Sequence, residues 1–372
     1  MRRNALLAVG TVLTSVSAIP ASHADLDFLR PIQVEQDEKA LIAAEYSYFD
    51  LSFDFLNYLE NINTGARPEE SSAARISIHM PVFQRFSFDY QHTSTNAVVS
   101  RSAQPFELDS DGTEHRLNAN YWLRRSPMST LFLHAGVTYA KQHELKIDCY
   151  DFRGLVIGGT CEEAELQLID GREFLATGIR NYYPAMTTDA NALGVNLGVT
   201  YTRTLFDRIP AYLYGGYERT RVNVRYQSKL LEITDDFILD ARYKGYVVRE
   251  VLDSLTNDIP QKEPWYEKTW SMEAGAKIPL GEYFFATAAL KFLSVTRDAY
   301  EAAANEQTFQ QNTVLNSALW YTPNTRLKVY LRGEASSNNV LGYEPIAYNR
   351  KTSRFFAYPF GQLSLGFIFS EK

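Results

Sequence analysis

Residues 266–296 read YEKTWSMEAGAKIPLGEYFFATAALKFLSVT, and this stretch decides the architecture. Trp270, Met272, Ala274, Ala276 and Ile278 alternate with Ser271, Glu273, Gly275 and Lys277. Pro279-Leu280-Gly281 makes a tight turn, and a second run puts Phe284, Ala286, Ala288, Leu290 and Phe292 on one face. A repeat of two is the signature of a strand with one apolar and one polar side. Two such strands joined by a turn form a hairpin, and an apolar face of this kind needs either a protein core or lipid to cover it. The same hairpin recurs along the chain with long polar inserts between copies, which points to lipid.

The N-terminus carries a different message. Arg2-Arg3 is a short basic region, Ala5 to Ala18 a weakly apolar one, and Ser22-His23-Ala24 a small-x-small cleavage site. Residues 1–24 therefore read as a secretory signal peptide and are set aside from the fold. Beyond them no run approaches the ~18 apolar residues of a membrane-spanning helix. The mean hydropathy of -0.27 fits a membrane barrel, whose strands dilute apolar residues one in two. Aromatic residues are abundant, with 24 Tyr and 22 Phe. The 37 basic residues less Arg2 and Arg3 leave 35 against 44 acidic, a net of -9 that argues against a nucleic-acid partner. Cys149 and Cys161 are the only cysteines, and in an exported chain a pair this close is expected to form a disulfide. Closing so short a loop contributes roughly 3 kcal/mol at most. Two thiols without nearby His or Cys fall short of a zinc set.

In chain order, residues 25–44 show no clean strand pattern and read as a periplasmic lead-in to a barrel spanning 45–370. Strand one, about 45–57, would turn Phe49, Leu51, Phe53 and Phe55 outward and Asp50, Ser52 and Asp54 inward. Outward sets follow at Ile76/Ile78/Met80, Phe86/Phe88/Tyr90, Leu117/Ala119/Tyr121/Leu123 and Leu131/Leu133/Ala135/Val137/Tyr139. Then come Leu193/Val195/Leu197/Val199/Tyr201, Ile209/Ala211/Leu213/Tyr217, the opening hairpin, Leu315/Leu319/Tyr321, Leu327/Val329/Leu331 and Leu363/Leu365/Phe367/Phe369. Short turns at 81–84, Ser126-Pro127, Phe206-Asp207-Arg208, Pro279-Leu280-Gly281 and Thr322-Pro323-Asn324 alternate with long loops, including 58–71, 95–112, 143–190 and 226–265. The expectation is all-β: a closed, antiparallel, up-and-down barrel of about twelve strands. Closure is required because an open sheet edge in lipid leaves backbone groups unpaired. Tyr121, Tyr201, Tyr321, Phe86 and Phe284 fall at one level and would form an interfacial girdle.

These features resemble the Gram-negative outer-membrane β-barrels over nearly the whole mature length. The resemblance implies an outer-membrane location, with lipids and lipopolysaccharide around the wall and the barrel-assembly machinery as partner during insertion. The last strand is similar to the signal that machinery recognises, although Ser370-Glu371-Lys372 follow the final aromatic, Phe369. Twelve strands also match the autotransporter translocator size.

The inward positions are heavily charged: Asp50, Asp54, Arg75, His79, Arg85, Asp89, Glu114, Arg116, Glu273, Lys277, Lys328, Arg332 and Glu334. Such a lumen is either a narrow water-filled channel for small solutes or a plug of mutual ion pairs. Twelve strands lie between filled eight-stranded barrels and open porins. A barrel that is plugged would act through its loops, as a binding or adhesive surface. A third reading is enzymatic. His92 and Ser94 share the lipid-facing side of their strand, an arrangement that resembles the His-x-Ser of outer-membrane phospholipase A and the lipid A deacylases. That resemblance implies His92 as base and Ser94 as nucleophile, with His115 or Glu70 the candidates to orient the histidine. Tyr246, Val247, Val251, Leu252 and Leu255 are spaced for one face of a helix within the insert 226–265. No phosphate loop, zinc spacing or nucleotide fingerprint is present, so no cofactor is expected.

Overall fold

The computed structural model describes residues 40–51, 66–101, 104–126, 128–147, 186–206, 208–227, 264–300, 310–337 and 360–370, with short pieces of loop between 150 and 174 and between 236 and 250. Twelve long strands account for most of it. They are β1 (Leu41–Leu51), β2 (Ala66–Phe83), β3 (Phe86–Arg101), β4 (Gln104–Ser126), β5 (Ser129–Ile147) and β6 (Met186–Leu205). The second half adds β7 (Ile209–Gln227), β8 (Trp265–Pro279), β9 (Phe284–Asp298), β10 (Gln311–Tyr321), β11 (Leu327–Ser336) and β12 (Phe360–Ser370). Each pairs antiparallel with its sequence neighbours, and β1 pairs with β12 to close the barrel.

The period-two pattern places the side chains as expected. Leu193, Val195 and Leu197 on β6, Trp270 and Met272 on β8, and Leu363 and Leu365 on β12 are all exposed on the outer wall, Leu197 to 63%. A closed barrel whose outer face is this apolar is built to be covered by lipid. The aromatic girdle forms as cross-strand pairs: Phe86 with Tyr121 (ring centroids 4.9 Å apart) and Phe284 with Tyr321 (5.0 Å). All lie at the short-turn end. These turns are tight and locally capped. Ser126 Oγ donates to the Ser129 carbonyl at 2.9 Å, and Asn324 Oδ1 accepts from the amides of Arg326 and Leu327.

Several expectations change. β1 begins at Leu41, so residues 41–44, expected in the lead-in, belong to the barrel wall. Parity counted from Phe49 would turn Glu45 outward, yet Glu45 and Ser47 are buried inside while Tyr46 and Tyr48 are exposed. A register irregularity between Tyr48 and Leu51 breaks the alternation on which that parity rested. The loop expected at 95–112 is mostly strand: pairing of β3 with β4 continues through Asn96↔Asp111 to Arg101↔Gln104. With 23 residues, β4 is about twice as long as the ~9–11 residues that cross a bilayer. Its polar half therefore projects beyond the apolar belt as a hairpin. Within the insert 226–265, Tyr246–Val247 is a two-residue strand paired with Arg242–Tyr243 rather than helix. A single helical turn lies at Asp236–Leu239, held by Arg249, which donates to Asp236 (2.9 Å) and Asp240 (3.0 Å). The side chain of Asp50, and Asp54, Cys149, Cys161, Val251, Leu252, Leu255 and the expected signal peptide, lie outside the described residues.

Inside, glycine and tyrosine interlock between neighbouring strands. The Tyr212 ring on β7 lies over its register partner Gly275 on β8, and Tyr330 on β11 lies over Gly366 on β12. A β-carbon on Gly275 would sit 2.5 Å from Cε1 of Tyr212, so only glycine lets the ring lie flat there.

Candidate functional site

The inward face is the candidate site, because the strands converge their charged side chains there. Its hub is Glu45. One of its oxygens, Oε1, accepts from Arg75 Nη1 on β2 (3.0 Å) and from Arg332 Nη2 on β11 (2.7 Å). The other accepts from Tyr330 Oη on β11 at 2.8 Å. Arg332 also reaches Glu334 (3.1 Å), and Glu334 accepts from Asn316 on β10 (3.2 Å). Ser47 and Ser364 share a hydrogen bond of 2.8 Å across the β1–β12 seam. The clasp thus spans β2, β1, β12, β11 and β10, and it is buried: Arg332 is 0% and Arg75 3% exposed.

A second chain of bonds runs along the opposite half. His79 Nδ1 on β2 lies 2.5 Å from Asp89 Oδ1 on β3, and the other Asp89 oxygen accepts from Asn120 Nδ2 on β4 at 2.6 Å. That donation orients the Asn120 amide, so its oxygen faces His134 Nδ1 on β5 at 2.7 Å and must accept from it. His134 Nε2 in turn meets Thr200 Oγ1 on β6, also at 2.7 Å. Five strands are tied at one level. Nearer the long-loop end, Arg116 pairs with Glu114 (3.7 Å) and reaches over two strands to Glu218 on β7 (3.4 Å). Gly194 on β6 keeps that route open, since a β-carbon there would lie 2.8 Å from Glu218 Oε1. Tyr212 donates to Glu273 between β7 and β8.

Below the clasp, the short-turn end is apolar as well as charged. Phe285, Trp320 and Tyr330 stack in sequence, Phe285 and Trp320 at 5.3 Å and 9° between planes, and they pack with Leu41, Ala43, Ala318 and Ile368. Lys277 sits 4.3 Å over the Phe285 ring, and Lys328 approaches the same ring at 6.0 Å. Trp320 Nε1 donates to Thr287 Oγ1 at 3.0 Å.

Of the inward residues expected from the sequence, Arg75, His79, Asp89, Glu114, Arg116, Glu273, Lys277, Lys328, Arg332 and Glu334 all face the lumen, and most are buried. Arg85 does not: it is exposed in the two-residue turn between β2 and β3. A strand parity that ignores where the turn begins misplaces it. The sequence reading did not select Glu45, Asn120, His134, Glu218 or Tyr330. The alternation of Glu45 and Ser47 with Tyr46 and Tyr48 was the available signal for the first. The others needed cross-strand register.

His92 and Ser94 do share the outer face of β3, and His115 on β4 is the register partner of His92, with ring centroids 4.7 Å apart. His115 Nδ1 is engaged by Tyr90 Oη at 2.9 Å. No hydrogen bond joins His92 to Ser94 among the described residues, and no carboxylate holds either histidine there. The Glu70 side chain lies outside the described residues.

The fold is a closed, antiparallel, twelve-stranded β-barrel, and the solved structures it resembles are outer-membrane barrels. The chain is similar to the translocator domain of the autotransporter NalP from Neisseria meningitidis, with a TM-score of 0.48 and 10% identity over 93% of this chain and 95% of that one. It is also similar to the transport unit of the autotransporter AIDA-I from Escherichia coli (TM-score 0.42, 10% identity, 90% of each chain). The NanC porin gives a TM-score of 0.41 at 6% identity, over 88% of this chain and 98% of that one. No protein-family model and no curated protein matches the sequence.

Proposed function

We propose that this protein is a plugged outer-membrane barrel that presents its long loops at the cell surface as a binding platform and does not conduct in its resting state. The observation that carries this reading is the burial and mutual pairing of the inward charges. An open aqueous lumen would leave Arg75, Arg332, Glu45 and Glu334 hydrated. Instead each is at most 6% exposed and is bonded to its neighbours. The aromatic stack of Phe285, Trp320 and Tyr330 adds apolar packing at the short-turn end, where solutes would have to pass. The strands take the ends of the expected inserts, β5 to Ile147, β6 from Met186, β7 to Gln227 and β8 from Trp265. The remaining segments 148–185 and 228–264 are long and polar and would supply the platform. The described surroundings of His92 and Ser94 offer the hydrolase reading no orienting carboxylate or amide, so catalysis is not part of the proposal.

The test is conductance of the purified full-length protein in planar bilayers. The expected result is silence from protein that retains its heat-modifiable, folded migration on gels. Discrete steps whose ion selectivity shifts on Arg332→Gln would refute it in favour of a narrow channel.

A further inference from the structure

Above its apolar belt the described outer wall turns polar, and along one arc it turns basic. On β7 the outward residues run Leu213, Gly215, Tyr217 and then Arg219, Arg221, Asn223, Arg225. Tyr217 and Trp270 stack across β7 and β8 (4.7 Å) and mark the top of the belt. One row higher, Arg219 faces Lys268 of β8 as its direct register partner, and Val195 of β6 on its other side. The next row sets Arg221 between Leu193 and Tyr266, and Lys141 of β5 lies beside Asn191 one row above that. Like charges directly opposite each other on two strands are destabilising unless something compensates them. Asp298 compensates Lys268 alone. Among the described residues no carboxylate pairs with Arg219 or Arg221, although Arg219 lies 4.8 Å over the Tyr266 ring. Elsewhere at this level the described outward residues carry no Lys or Arg: His92, Ser94 and His115 on β3 and β4, Ser294 and Thr296 on β9 and Thr313 on β10, while the acidic Asp189 on β6 is the register partner of Arg225 higher on the arc.

We infer that this arc is a binding site for the phosphate groups of lipopolysaccharide in the outer leaflet. The ligand must satisfy two surfaces at once. Arg219 and Arg221 call for an anion at the headgroup level, at the end of the barrel that carries the long loops, with Lys268, already paired with Asp298, beside them. On β6 beside the two arginines, Val195 and Leu193 are 57% and 59% exposed, and Leu197 one row lower is 63% exposed, an apolar strip that calls for acyl chains. The site opens sideways into the membrane, so its ligand is a lipid and reaches the arginines through the leaflet. Guanidinium groups bind phosphate through paired, charge-assisted hydrogen bonds, and they keep their charge at any physiological pH. In a net acidic chain, Arg219 and Arg221, which no described carboxylate pairs, border the lipid where they can select an acidic lipid. The inference rests on the membrane placement of the barrel and is independent of whether the lumen conducts.

The experiment titrates the detergent-solubilised full-length protein with bis-phosphorylated lipid A, with its dephosphorylated form, with phosphatidylglycerol and with inorganic phosphate. Bound lipid is read by native mass spectrometry. Wild-type protein is expected to retain lipid A over the other three. In Arg219→Gln/Arg221→Gln, affinity for lipid A should fall at least about tenfold, the effect of losing one or two charge-assisted bonds. Affinity for the dephosphorylated form should be unchanged. Heat-modifiable migration reports the folding of the variant, and Arg221→Gln alone provides the same comparison with a smaller fall. Equal binding of lipid A by folded wild type and variant would overturn the assignment. So would phosphatidylglycerol binding as tightly as lipid A, or displacement of lipid A by millimolar phosphate.

Discussion

Glu45→Gln should strongly destabilise this barrel while barely changing its shape. In the native clasp one carboxylate accepts from Arg75 at 3.0 Å, Arg332 at 2.7 Å and Tyr330 at 2.8 Å, all buried. Glutamine keeps the volume and removes the charge, leaving two buried guanidinium groups with Glu334 as the nearest remaining anion, bonded to Arg332. Removing one partner from a buried ion pair costs about 3–5 kcal/mol, because the partner charge stays desolvated. The same pair in a water-filled lumen would be screened and worth about 0–1 kcal/mol. The magnitude therefore separates a dry interior from a wet one. Equilibrium unfolding by urea in detergent, followed by tryptophan fluorescence and by the folded band on gels, measures it. A loss of about 3 kcal/mol or more, insensitive to added salt, is expected. A loss below about 1 kcal/mol that shrinks further in 1 M salt would refute the argument, since salt screens exposed pairs far more than buried ones. The double variant Glu45→Leu/Arg75→Leu should recover part of the loss, because it removes a buried guanidinium along with the carboxylate while Arg332 keeps Glu334.

Two further outcomes follow from the packing and from the cysteines. Gly275→Ala should destabilise the folded barrel by about 1–3 kcal/mol, the usual cost of forcing extra volume into a packed site, because the new methyl meets the buried Tyr212 ring that Glu273 holds in place; unchanged heat-modifiable stability would show that the ring can move aside. Cys149 and Cys161 should be joined in the native protein, and mass spectrometry of unreduced peptides should find the bridge, whereas two free thiols after purification under oxidising conditions would rule it out.

The alternation at 266–296 and its recurrences determined the strand number, the closed antiparallel order and the outer face, because a strand in lipid must turn alternate residues outward along its whole length. It also named most of the lumen-facing charges, from Arg75 to Glu334. What it left open was which of them meet. Glu45 lies 30 residues from Arg75 and 287 from Arg332, and only closure of β1 on β12 brings the three together. The chain His79–Asp89–Asn120–His134–Thr200 likewise depends on the register of four strand pairs, and register is a property of the sheet that no single strand contains. Parity failed where the ladder was irregular or ended, at Tyr48–Leu51 and at Arg85. The basic arc of Arg219, Arg221 and Lys268 is spread over two strands separated by the insert 226–265, so its clustering too appears only once β7 lies beside β8.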